Sequence, residues 1–291
     1  MKVTNRLGLP SAFVNAVSVR RHNEPGCYSA TTLNKGVKEI VLTDRHFDEL
    51  EADAADSVWA VWGTAVHALM ESQKDENFHE EKFAVKVSDS TVTGQVDSYD
   101  MENQVIYDWK TASVWKVIKA DFADWKAQGM TYAWLMSQKG LAVKKCRFVA
   151  LLKDHSKTKA ATDSSYPQSP VFVYEFDVTE EGLAETAKRI EKKVMELEAA
   201  SLLADDDVPP CSESERWAEP PVWAVMKEGR KSAVKLCDSD AAANGLASEL
   251  GDKHYVQFRP GASRKCEGYC PCREFCDFWK KQSKQSKEEA A

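Results

Sequence analysis

The sequence predicts an α/β protein, with a mixed central sheet and helices on its faces. Three observations carry that expectation. Segments 83–87 and 91–97 partly alternate apolar and polar residues, as a half-buried antiparallel pair does. Stretches 121–138 and 180–200 place apolar residues at helical spacing instead. Between and around those helices, Lys144–Leu152 and Val171–Phe176 read as two further strands.

In chain order, residues 1–45 are punctuated by Gly8, Pro10, Pro25 and Gly26 and read as irregular. The hydroxyl-rich Tyr28–Leu33 offers a helix entrance, because such side chains cap free backbone N–H groups. From Asp44 to about Gln73 the pattern is helical, with Gly63 marking a close backbone approach or a break between two helices. The polar turn Asp100–Asn103 then leads into a third strand at Gln104–Lys110. A polar loop follows the strand ending at Leu152, and Pro209-Pro210 marks a change of character. Beyond it come a short hairpin around Trp223–Val225 and Ser232–Leu236, an Ala-rich helix and a cysteine-bearing segment. These divisions give a core over 1–205 with an N-terminal helical segment. A cysteine-containing extension over 206–279 packs on that core, and a disordered, solvated tail covers 280–291.

The 291 residues can bury a real core, with 43% hydrophobic side chains and nine tryptophans. The formal charge of −7 counts against a nucleic-acid partner, since phosphate binders usually carry a basic footprint. That objection weakens where carboxylates are neutralised by a bound cation. Met1–Arg6 precedes no apolar run of signal-peptide length, and no window reaches the roughly 18 apolar residues of a membrane span. A cytoplasmic location without membrane attachment is expected. Of eight cysteines, Cys266, Cys270, Cys272 and Cys276 crowd into eleven residues. In a cytoplasmic chain such clustering reads as metal or cluster ligation before it reads as a disulfide framework.

The chemistry-bearing residues lie between Gly63 and Tyr132. Alternate strand residues face one way, so Asp108 and Lys110 project together while Trp109 turns into the core. Asp97, near the end of the preceding strand, can face the same cleft. Two carboxylates can hold Mg2+ or Mn2+, and a lysine beside them can orient the attacking water of phosphodiester hydrolysis. His67 and Glu71 are four apart on a helix, where an imidazole can complete a coordination sphere and a carboxylate can support it. Gln128 and Tyr132 share a helix face with Trp125 and Leu135, placed to contact a phosphate or to steady the lysine. Singly, each feature has an ordinary reading: surface charges on an edge strand, a helix-surface pair, a boundary glutamine. In this order they point to metal-dependent hydrolysis of DNA.

Together, His67, Gly94-x-x-Asp97, Asp108-x-Lys110 and Gln128-x-x-x-Tyr132 resemble the motif set of the PD-(D/E)xK nuclease superfamily, in its RecB-like exonuclease branch. The flanking Tyr28–Leu33, Trp62–His67, Glu213–Trp217 and Arg259–Cys270 resemble phage and prophage nucleases of that superfamily. The resemblance runs over roughly residues 28–279 and departs from a literal Pro-Asp at Val96, as is usual in this branch. It implies a restriction-endonuclease-like core, metal binding by His67, Asp97 and Asp108, and a catalytic Lys110. Asp97, Asp108, Gln128, Tyr132 and Glu71 complete the expected catalytic set. The implied activity is an exonuclease acting at DNA ends without sequence specificity, in the host cytoplasm, in phage recombination or DNA processing and with a phage recombination protein as a further partner. Two alternatives stay open: an endonuclease, and a catalytically silent module that binds DNA ends or a partner protein.

Cys266, Cys270 and Cys276 resemble the C-terminal triplet of RecB-like nucleases that carry a [4Fe–4S] cluster. The resemblance takes a fourth ligand from upstream, where Cys27 stands, while Cys211 and Cys272 compete for that role. A zinc site on four of these thiolates is the alternative. Lys153, Lys157 and Lys159 are expected to line a groove for the DNA backbone, and Trp109, Trp115 and Trp125 to stack on bases or to lie in the core.

Overall fold

The computed structural model describes residues 1–18, 24–73 and 75–288. The chain divides into two compact units, Met1–Leu203 and Ala204–Ala291. The first unit opens with β1 (Lys2–Thr4), α1 (Ser11–Ser18), β2 (Cys27–Ser29), α2 (Val37–Arg45) and β3 (Glu51–Asp53). Then come α3 (Val58–Glu71), β4 (Phe78–Val87), β5 (Ser90–Asp100) and β6 (Val105–Ala112). It closes with α4 (Val114–Ile118), α5 (Ala123–Ser137), β7 (Lys145–Leu152), α6 (Lys157–Thr162), β8 (Val171–Asp177) and α7 (Glu180–Ser201).

The six-stranded sheet runs β2-β5-β6-β7-β8, with β4 on the free edge of β5. It is mixed: β2 with β5 and β6 with β7 are parallel, and the other pairs are antiparallel. The predicted α/β class therefore holds, with strands and helices where alternation and helical periodicity place them. One detail of pairing positions the site. β5 and β6 pair only over Ser98–Asp100 and Val105–Tyr107, and from Asp97 and Asp108 onward they part. On its other edge β6 stays paired with β7 along its whole length. The sheet thus forks beside Asp97 and Asp108.

Helix α5 closes one face. Trp125, Leu135 and Met136 are buried with Val92, Val96, Ile106 and Phe148 from the sheet. The approach is close enough to require glycine: a Cβ at Gly94 would meet Leu135 Cδ1 at 2.7 Å and Tyr132 Cδ1 at 2.8 Å. Helix α7 lies against α5, where the Arg189 guanidinium donates to Ala127 O (3.1 Å) and Thr131 Oγ1 (2.7 Å). Its Ile190, Val194 and Leu197 recur at helical spacing and are fully buried.

Several local expectations differ from the structure. The 1–45 segment is not irregular, since it contributes β2 to the sheet and the helix α2. Between Asp44 and Gln73 the helical reading breaks at β3, which pairs in parallel with β1. Gly63 interrupts nothing; α3 runs through it, and a Cβ there would lie 3.6 Å from Thr111 Oγ1. Trp109 is half-buried rather than in the core. The loop after β7 contains the short helix α6.

The second unit contains β9 (Ala218–Glu219), β10 (Val222–Lys227), β11 (Lys235–Cys237), α8 (Asp240–Leu250), β12 (His254–Arg259) and β13 (Ala262–Ser263). It ends with α9 (Arg264–Gly268) and α10 (Asp277–Glu288). Strands β11, β10 and β12 form an antiparallel sheet, and Val225 with Ala243 and Ala247 of α8 makes a small core. The stretch read as a frayed tail is helical as far as Glu288, while residues 289–291 lie outside the described ones. Among the described residues no helix is long and apolar enough to cross a membrane.

Candidate active site

Where β5 and β6 part, the backbone N–H of Trp109 loses its cross-strand partner and donates instead to Asp97 Oδ2 at 2.8 Å. That bond fixes the Asp97 carboxylate in the fork. Its other oxygen, Oδ1, lies 3.3 Å from His67 Nδ1 on α3. The Asp97 contact raises the His67 pKa above its ordinary 6.5, with burial opposing.

Asp108 and Lys110 point the same way from β6, as strand alternation requires. Lys110 Nζ lies 2.6 Å from Asp108 Oδ2 and donates to Gln128 Oε1 at 3.0 Å. Gln128 Nε2 donates to Asp108 Oδ1 (3.1 Å) and to the Tyr132 hydroxyl oxygen (2.7 Å). The predicted i, i+4 pair on α5 therefore acts as a brace for the β6 pair. Asp108 is only 1% exposed. Burial pushes its carboxyl up to about 6, against the pull of the Lys110 charge. Asp108 Oδ2 is buried with the Lys110 ammonium, 2.6 Å away, as its partner.

The fork also gathers a residue with no local signature. Among the described residues, the group of potential ligand atoms lying within 4.8 Å of one another is His67, Glu80 and Asp97. Glu80 sits on β4 opposite Asp97, between the pairs His79↔Ser98 and Glu81↔Val96. Its φ of +53° is one that L residues rarely adopt, and the Gln95 amide donates to its carboxylate. Burial, and then the charges of Asp97 and Glu71, raise its pKa. Of the three residues expected to hold a metal, His67 and Asp97 stand in this close group with Glu80, and Asp108 stands outside it. Glu71 is exposed at the end of α3, near enough for Glu80 to feel its charge but outside the close group.

The donor chemistry fits a hard divalent cation: one imidazole nitrogen and carboxylate oxygens, with the charge of the buried Asp108 felt by His67. Geometry and charge together make a fork able to hold a cation, with an ammonium beside it.

The aromatic expectations separate. Trp125 is 6% exposed and stacks on Phe148, ring centroids 5.8 Å apart, so it belongs to the core. Trp115 is 59% exposed. Sequence reasoning missed Trp59 and Trp62, each 53% exposed, because a helix apolar on all sides ordinarily reads as buried. Lys153 does reach this surface, with Nζ 3.8 Å over the Trp59 ring. Lys157 and Lys159 are exposed on α6, the latter 6.0 Å from the Tyr166 ring.

In the second unit Cys266 is buried, and its thiol is pushed up to about 11 by burial and then by the thiols of Cys270, Cys211 and Cys276. Arg216 ties these segments together: Nε donates to Cys211 O (2.9 Å) and a terminal N–H to Ser263 Oγ (3.2 Å). Cys270 and Cys272 have their sulfurs 3.6 Å apart. Cys27 lies on β2 of the first unit.

No protein-family model matches the chain, and no curated protein sequence matches it. Among solved structures, the chain is similar to SSO0001 at 18% identity and a TM-score of 0.44, over 63% of this chain and 82% of that one. An alkaline exonuclease from Laribacter hongkongensis aligns at 13% identity and a TM-score of 0.38, over 60% of this chain and 89% of that one. A phage-related exonuclease from Haemophilus somnus 129PT aligns at 13% identity and a TM-score of 0.35, over 62% and 96%.

Proposed function

We propose that this protein is a Mg2+- or Mn2+-dependent deoxyribonuclease that hydrolyses phosphodiester bonds from DNA ends, in phage recombination or DNA processing. The observation that carries the reading is the fork between β5 and β6. It sets His67, Glu80 and Asp97 within 4.8 Å of one another beside the Asp108–Lys110–Gln128 network. His67, Asp97 and Glu80 are the residues to hold the cation, with Asp108 Oδ2 as the neighbouring carboxylate oxygen. When bound, the cation supplies Lewis-acid polarisation of the phosphate and a water of lowered pKa.

The protein's own residues do the positioning. An ammonium has three N–H donors. In Lys110 one is turned to Asp108 and one to Gln128, which leaves a third for the attacking water or a phosphate oxygen. Gln128 fixes both members of the pair and is itself held by Tyr132, whose hydroxyl burial keeps protonated. Tyr132 therefore braces through Gln128.

The same proposal includes a [4Fe–4S] cluster on Cys266, Cys270 and Cys276, with Cys27, Cys211 or Cys272 as the fourth thiolate. Zinc bonds thiolates at roughly 2.3 Å in a tetrahedron, which sets their sulfurs about 3.8 Å apart. Cys270 and Cys272, with sulfurs 3.6 Å apart, match that spacing for two ligands, so zinc stays the alternative and the colour of the protein decides for or against the cluster. A brown anaerobic preparation supports it; a colourless one with stoichiometric zinc contradicts it.

End-labelled linear DNA and covalently closed circles, incubated with Mg2+ or with EDTA, test the activity. Mg2+-dependent loss of linear DNA alone, abolished in Asp108→Ala and Lys110→Ala, is expected. Digestion that persists in EDTA or in either variant overturns the assignment, and cleavage of closed circles makes the enzyme an endonuclease.

A further inference from the structure

Helix α3 reads Val-Trp-Ala-Val-Trp-Gly-Thr-Ala-Val-His-Ala-Leu-Met-Glu, apolar on nearly every side, yet none of its residues is buried. A helix of that composition ordinarily sits in a core, and a contiguous exposed apolar surface marks a binding site. Its surroundings indicate what covers it. Trp59 carries the Lys153 ammonium 3.8 Å over its ring. The Lys153 backbone N–H donates to Ala112 O at the end of β6 (3.0 Å). The next residue, Asp154, accepts from Ser113 Oγ and Val114 N, and so anchors α4 with its exposed Trp115 to the same end of β6. Trp59, Trp115 and the Lys153 ammonium thus lie at the end of the strand that bears Asp108 and Lys110. The other end of α3 delivers His67 to the fork.

We infer that the exposed face of α3, with Lys153, is the docking surface for the unpaired strand of the DNA substrate, whose bases stack on Trp62 and Trp59. The inference rests on the nuclease reading and names the form of DNA it engages. A polyanion with flat apolar bases is the partner that satisfies indoles and ammonium groups at once, because every base has a face to stack whatever its sequence. Spacing sets the footprint. Trp62 and Trp59 precede His67 by five and eight residues, about 7 and 12 Å along the helix axis. At about 3.4 Å per stacked nucleotide that corresponds to roughly two to four nucleotides from the scissile phosphate.

The test is oligo(dT) binding in EDTA, which prevents cleavage, followed by quenching of tryptophan fluorescence and by anisotropy of a labelled oligonucleotide. Full-length wild type is compared with Trp59→Ala, Trp62→Ala, Trp59→Phe and Lys153→Gln, each checked for folding by its melting temperature. Each alanine variant is expected to bind at least about five-fold more weakly, Trp59→Phe to retain most of the affinity, and blunt duplex to bind more weakly than oligo(dT). Lys153→Gln is expected to lower the slope of log affinity against log salt by about 0.7. Unchanged affinity in both alanine variants overturns the inference. So does a concentration-dependent dimer that Trp59→Ala dissociates without changing oligo(dT) binding, since a second copy would then be the occupant. Either result with Mg2+-dependent cleavage intact leaves the nuclease reading standing. Tight oligo(dT) binding without any cleavage removes that reading instead.

Discussion

Replacing Gly94 with alanine tests how the glycine of the Gly94-x-x-Asp97 motif contributes. The added Cβ would stand 2.7 Å from Leu135 Cδ1 and 2.8 Å from Tyr132 Cδ1. Carbon atoms pack at about 3.5–4.0 Å, so roughly 0.7 Å or more must be recovered. Leu135 is fully buried, and Tyr132 is pinned through its hydroxyl to Gln128 at 2.7 Å, so neither side chain can turn away cheaply. Helix α5 must then lift from β5, at the overpacking cost of about 1–3 kcal/mol. For a unit of this size that corresponds to a melting temperature lower by about 2–12 °C. The lift also moves Gln128 away from Asp108 and Lys110, so cleavage should fall further than stability does. Differential scanning calorimetry and the end-labelled DNA assay read the two effects. A Gly94→Ala protein with wild-type melting and wild-type cleavage would refute the packing explanation of this glycine.

Other outcomes follow from the same geometry. Gln128→Leu removes the brace between Lys110, Asp108 and Tyr132, and cleavage is expected to drop about 10- to 100-fold, measured at saturating Mn2+. Unchanged turnover contradicts the bracing role. Cation binding must release the His67 proton, whose pKa is raised above 6.5, and any proton held by Asp108, shifted up to about 6. Mn2+ affinity measured by electron paramagnetic resonance should therefore rise steeply from pH 5.5 to pH 7.5, and a flat profile contradicts the assignment. Without metal the sign reverses for His67. Its pairing with Asp97 stabilises the fold below the unfolded pKa, and that contribution is lost as pH rises through the higher folded value. Metal-free His67→Gln should consequently lose part of the wild type's pH-dependent stability in that window, as melting curves will show. Finally, Cys266→Ser should abolish the visible absorbance expected of an iron–sulfur cluster, and a variant that keeps its colour excludes Cys266 as a ligand.

Much of the site was legible because short-range periodicities carry it. Strand alternation puts Asp108 and Lys110 on one side, and helical spacing puts Gln128 and Tyr132 on one face, so those pairs follow from spacing alone. Glu80 follows no such rule. It stands in the charged run His79-Glu80-Glu81-Lys82, where nothing local separates it from its neighbours, and only the register of β4 on β5 brings it opposite Asp97. Strand β2 was likewise invisible: three residues, Cys27–Ser29, become a strand only because β5 offers them an edge. Trp59 and Trp62 carry no signal of their own, since an all-apolar helix resembles core and its exposure depends on what packs around it. The fork itself depends on where β5 stops pairing with β6, a property of two strands that neither strand states by itself.

The most direct test of the account is a crystal soaked in Mn2+ and measured at the manganese absorption edge. An anomalous peak among His67 Nδ1 or Nε2, Glu80 and Asp97, absent in a Glu80→Gln, Asp97→Asn protein, is predicted. A peak elsewhere, or none at Mn2+ concentrations that support cleavage, contradicts the assignment of this fork as the catalytic cation site.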